Sequence, residues 1–196
     1  MGVRIGYTQL GEHGRQFAAF LTYAALEPVD TYTPQDFQTA VGALPQEGLQ
    51  ESAQALVQAL EGAGEQREEY WKNRIRPFWQ NIWPQSRDLA SNSITDSLVR
   101  LSIAARSEFP SALLTVLYWL LPIEHPHYVV HLLSESGLAE RFPEDSLRLL
   151  NAIISDQPWI SRELGLCLAA ISKAAPALLQ DHRYQRLAEY SRRRGI

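Results

Sequence analysis

From Ser93 to Tyr190 the chain repeats one grammar: a helix start signal, an apolar stripe, then a polar break. The stripes are Ile94-Leu98-Leu101-Ile103-Ala105, Leu113-Leu114-Val116-Leu117-Leu120-Leu121, Val129-Val130-Leu132-Leu133, Leu147-Leu149-Leu150-Ile153-Ile154 and Leu164-Leu166-Leu168-Ile171. Apolar positions three and four apart predict short amphipathic helices, and the breaks predict tight turns between them. Ser93 reads as the first cap, and Phe109-Pro110 separates the first two helices. Leu121 to Pro126 forms a stiff loop, and Gly137 ends the third helix. Pro143-Glu144-Asp145 restarts with a proline and two acids, where a helix N-terminus favours them. Asp156-Gln157-Pro158-Trp159 is a further turn before a helix over 160–174, and a last helix over 183–193 ends in cations that suit the negative end of its dipole. Hairpins of this kind bury their apolar faces by stacking on one another.

The N-terminal part follows the same logic with different punctuation. Val3, Ile5 and Tyr7 alternate as in a short strand, and the opening, with neither cap nor anchor, predicts a chain continued from a longer one. A helix over 16–26 follows. Thr33-Pro34-Gln35-Asp36 supplies an N-cap, a first-turn proline and a first-turn acid for a brief helix ending at Gly42. Pro45-Gln46-Glu47 opens the next helix, with the stripe Leu49-Ala53-Leu56-Val57-Leu60, closed by Gly62 and Gly64. Residues 64–83, GEQREEYWKNRIRPFWQNIW, place Tyr70, Trp71, Ile75, Phe78, Trp79, Ile82 and Trp83 on one helical face, with a kink expected at Pro77. The expected fold is all-α: stacked antiparallel helical hairpins of HEAT-like, α-solenoid character. An N-terminal helical part with its aromatic junction helix (1–86) runs into a hairpin array (87–196) as one continuous unit.

Bulk properties narrow the class only a little. The lone Cys167, inside an apolar run, reads as a buried reduced thiol, so no disulfide is expected. The first ten residues lack the basic start and apolar core of a signal peptide. The longest apolar stretch, 112–123, is interrupted by Thr115 and Pro122 and is too short to span a bilayer. A cytoplasmic location is expected. The net charge of −4 divides unevenly, with residues 1–70 at −7 and residues 71–196 at +3. An acidic first third argues against a chain that coats nucleic acid along its length.

Three candidate chemistries arise, each with a plainer alternative. His127, His131 and Glu135, spaced one helical turn apart, have the spacing of a metal-binding set and would centre a metal-dependent hydrolase; the internal general-base glutamate of that signature is absent, and the alternative is a solvated face. The aromatic stripe interleaved with Lys72, Arg74, Arg76 and Arg87 has the ingredients of a base-stacking platform with phosphate contacts, as in a nucleic-acid-binding accessory subunit. Its alternative is a core face backed by solvated cations, with Glu65, Glu68 and Glu69 repelling phosphate. Neither a Gly-rich phosphate loop followed by Lys nor a nucleophile elbow is present, and no cofactor is implied. The third candidate is a protein-docking face. Trp119, Tyr128, Trp159 and Tyr184 are added here to the basic residues, because Trp, Tyr and Arg are favoured at interface hot spots; the alternative for each is a place in the core.

Leu44-Pro45-Gln46-Glu47-Gly48-Leu49 with the helix after it, the run EYWKNRIRPFWQNIWP (69–84), and Phe142-Pro143 through Trp159 together resemble a helical C-terminal domain of unassigned chemistry. That domain belongs to large bacterial antiphage defence proteins that carry sirtuin-like or nucleoside-triphosphatase modules upstream. The resemblance runs from about Arg15 to Arg194. It implies a module of a larger effector, with catalysis in a different segment and no site residues to transfer. The expected role is therefore a non-enzymatic protein-interaction or sensor module that docks a partner protein or a neighbouring domain.

Overall fold

A computed structural model describes residues 11–27, 32–155 and 162–193, and its regular structure among them is helical. The only extended pairing among these residues is an isolated parallel bridge between Ile123 and Ile154, where the Ile123 N–H donates to the Ile153 carbonyl at 2.8 Å. The helices are α1 (Gly11–Leu26), α2 (Pro34–Gly42), α3 (Gln46–Gly62), α4 (Arg67–Tyr70), α5 (Arg76–Asn81), α6 (Asn92–Ala104), α7 (Phe109–Val116), α8 (His127–Glu135), α9 (Leu138–Arg141), α10 (Pro143–Ile153), α11 (Arg162–Ala174) and α12 (His182–Arg193). The strand-like Val3-Ile5-Tyr7 pattern and the Asp156–Trp159 turn lie outside the described residues.

The chain crosses back and forth between two ranks of helices. In one rank α1 packs on α3, α3 on α6, α6 on α8 and α8 on α11. In the other α2 packs on α5, α5 on α7, α7 on α10 and α10 on α12. This is the stacking that short amphipathic helices joined by tight turns require, since each alone buries too little apolar surface to be stable. One cluster of buried hydrophobic side chains runs from Ala18 to Tyr190, on both sides of residue 86, and the α3–α6 contact bridges that point.

Most local signals act where the sequence places them; α1 is one exception, since it begins at Gly11 and not at residue 16. Thr33 and Asp36 form a reciprocal capping box at α2: the Thr33 N–H donates to Asp36 Oδ2 at 2.8 Å and the Asp36 N–H to Thr33 Oγ1 at 3.3 Å. Gly137, at φ +71°, makes the left-handed turn that separates α8 from α9. The cap of α6 is Ser91 and not Ser93, its Oγ accepting from the Ile94 N–H at 3.3 Å. Pro77 does not break the junction helix. A π-helical turn over Trp71–Ile75 comes just before it, with the Arg76 N–H reaching back to the Trp71 carbonyl. The wider turn absorbs the bond that proline cannot make.

Candidate functional site

The aromatic stripe of the junction helix is core. Trp71, Ile75, Phe78, Trp79, Ile82 and Trp83 are all buried. The Trp79 and Trp83 rings stack with centroids 4.7 Å apart and 11° between planes. Trp119 meets Trp83 edge-on at 5.4 Å and Trp79 at 6.5 Å. Those buried rings present no free face to a base, while Tyr70, the first ring of the stripe, is half-buried. Trp119 takes the core alternative: at 3% exposure its side chain belongs to the same cluster.

The cations around that stripe are tied to the protein in different ways. Lys72 pairs with Glu108 at 3.0 Å, joining the junction helix to the turn after α6. Arg87 donates to the Tyr118 carbonyl at 3.1 Å and lays its guanidinium over the Tyr118 ring at 5.3 Å. Arg74 is half-buried and Arg76 exposed. Tyr184 is also half-buried, its hydroxyl donating to the Leu168 carbonyl at 3.3 Å. Tyr128 is the exposed aromatic of the predicted set, at 54%, and the Arg100 guanidinium lies 5.5 Å from its ring centroid. Trp159 lies outside the described residues.

His127, His131 and Glu135 share the exposed side of α8, and the His127 ring faces His125 with centroids 6.4 Å apart. Among the described residues no three His, Cys, Asp or Glu side chains come together as a metal-binding group. Helical spacing places these residues in a row without converging their ligand atoms on one point. Cys167 is buried, with its Sγ donating to the Val130 carbonyl at 3.9 Å. Burial pushes its thiol up to about 12, so at neutral pH it carries no thiolate for nucleophilic work.

Two surface features escape the linear pattern. Between α1 and α2 lies an apolar groove of about 460 Å³ lined by Phe17, Phe20, Leu21, Tyr32 and Phe37. Phe20 is 69% exposed and Tyr32 60%, with the Tyr32 and Phe37 rings edge-to-face at 5.9 Å. Phe17 and Phe20 stay exposed although α1 packs closely on α3. The second feature is a cleft of about 470 Å³ to which Arg67, Arg100, Arg106 and Arg141 all contribute, together with Glu61 and Glu135. The four arginines come from α4, α6, the turn after α6 and α9, so no run of sequence announces them.

No family model matches this sequence, and no solved structure matches it. An uncharacterized protein of Sinorhizobium fredii, y4cA, is 30% identical over 131 residues, which is 65% of this chain. The matched segment is 11% of that much longer protein, so this chain is similar to one portion of it. Among the described residues no helix is long and apolar enough to cross a membrane.

Proposed function

We propose that this chain is a non-enzymatic protein-interaction module, a helical stack of HEAT-like character that docks a partner protein or a neighbouring domain of a larger bacterial effector. The observation that carries the reading is the α1–α2 groove, where Phe20 and Tyr32 present aromatic surface to solvent beside a buried Phe37. Exposed apolar patches of this kind mark interaction sites, because solvating them is unfavourable and a partner's apolar side chains relieve that cost. The match to one small portion of y4cA supports a modular setting. The resemblance to the helical domain of antiphage defence proteins supports a cytoplasmic, antiviral context with catalysis elsewhere.

The test is affinity capture from the native host with the wild-type chain, the Phe20→Asp variant and the Tyr32→Asp variant, after circular dichroism has established equal helicity. A defined protein bound by wild type and lost from both variants is the expected result. A partner held equally by all three, or no protein partner at all, overturns the docking role of the groove.

A further inference from the structure

The geometry points to the four-arginine cleft as a binding site for a small molecule that carries a phosphate or diphosphate group on an apolar body. The first ground is charge. Arg67, Arg100, Arg106 and Arg141 face one cleft against only Glu61 and Glu135, in a chain whose net charge is −4. Among the described residues none of the four makes a salt bridge, although Lys72, Arg148, Lys173, Arg183 and Arg193 all do. Four cations against two carboxylates in the cleft, with Asp96 beside Arg100, leave an excess of positive charge that an anionic ligand offsets.

The second ground is donors without acceptors. Arg67 Nε and Arg100 Nε are buried and have no hydrogen-bond partner. A buried N–H that has lost water and gained nothing in exchange is destabilising, and such groups in native structures call for an explanation. The planar guanidinium fork of each arginine matches phosphate oxygens better than an ammonium does.

The third ground is preorganisation. The Arg100 guanidinium sits over the Tyr128 ring, the Arg141 guanidinium lies 5.1 Å from the Phe142 centroid, and Arg67 Nη2 donates to the Glu61 carbonyl at 3.1 Å. Stacking and tethering fix these long side chains before any ligand arrives, which lowers the ordering cost of binding. Arg106 adds backbone strain, since at φ +54° it is the one described non-glycine residue in the left-handed region. Such strain persists where surrounding structure enforces it and gathers at ligand sites. Ile103, Leu132 and Leu138 supply an apolar wall, and a cleft of about 470 Å³ lies within the range of small-molecule sites.

The experiment is isothermal titration of the full chain with inorganic pyrophosphate and with ADP as probes, at low ionic strength. Saturable one-to-one binding is expected, tighter for ADP because its nucleoside meets the apolar wall. Arg67→Gln and Arg141→Gln are each expected to weaken ADP binding about tenfold or more, as loss of a charge-assisted hydrogen bond does. Arg148→Gln removes the same charge outside the cleft and is expected to leave affinity within about twofold, the small effect of a distant surface charge screened by salt. Absence of saturable binding by either probe overturns the proposal. So does equal weakening by all three variants, which would mean bulk attraction only, and so does pyrophosphate binding as tight as that of ADP. Unchanged circular dichroism in each variant excludes unfolding as the cause of any loss, and the Phe20 and Tyr32 partner assay is read independently.

Discussion

Replacing Trp119 with alanine separates a core residue from an interface residue in a single measurement. Its side chain is 3% exposed and is held edge-on between Trp83 at 5.4 Å and Trp79 at 6.5 Å. Truncating a buried tryptophan removes its transfer free energy and leaves a cavity, together ~3–5 kcal/mol. Each of the two aromatic contacts accounts for ~0.5–1.5 kcal/mol within that total. Against the ~5–15 kcal/mol that stabilises a folded domain, the variant loses between about a fifth and nearly all of its stability. Urea denaturation followed by far-UV circular dichroism reads this directly, and the indole fluorescence is avoided because the mutation changes the reporter. The midpoint is expected to fall while the denaturant slope stays constant. A Trp83→Leu, Trp119→Leu double-mutant cycle is expected to return a coupling of ~0.5–1.5 kcal/mol for the ring pair. Tyr128→Ala is the matched control: it forfeits only the Arg100 cation–π contact, about 0.5–1 kcal/mol at an exposed site. A Trp119→Ala loss as small as that of Tyr128→Ala would refute the packing of the tryptophan cluster and return Trp119 to the surface.

Three further outcomes follow from polar groups in or at the edge of the core. Thr95 is fully buried; its Oγ1 accepts from the Leu121 N–H at 3.1 Å and faces the Trp119 carbonyl at 3.5 Å, so Thr95→Val strands that N–H and is expected to cost ~1–3 kcal/mol in denaturant titration. Burial holds the Asp96 carboxyl above its ordinary range, with Arg100 pulling the other way. The ionised form is thus disfavoured in the fold, and the penalty enters as pH rises through the ordinary carboxylate value and is complete above the raised one. Asp96→Asn is therefore expected to raise Tm at neutral pH, with the gain vanishing in acid below about pH 4; a gain that grows towards low pH would contradict the sign. Cys167 is expected to resist thiol reagents at pH 8 in the folded protein and to react at once in denaturant, and rapid native labelling would contradict its burial.

The elements that could be read from sequence are those with local causes. Thr33-Pro34-Asp36, Gly137 and Pro143 each fix a boundary through backbone bonds made within a few residues. Ser91 and Ser93 show the limit of that logic. Both are competent caps, and the choice depends on where Ile94 and Leu98 meet the core. The π turn before Pro77 is likewise a compromise between a proline and a face of tryptophans that must all stay inward. Trp119 and Tyr128 look alike as letters; one is core and the other surface because of what packs against them. Neither the Arg67–Arg141 cleft nor the Phe20–Tyr32 groove has a linear signature, since both are made where separate helices meet.

Because the helices alternate between two ranks, the principal contacts join helices no more than three places apart along the chain, and none of them brings its two ends together. Loop-closure entropy is then paid in small instalments, so folding is expected to be quick for a chain of this length and able to start at more than one pair. The same locality loosens cooperativity. Amide exchange in the native state should form a gradient, slowest in α3 and α6 at the α3–α6 contact and faster towards α1 and α12, so that the stack opens from its ends while its middle stays closed.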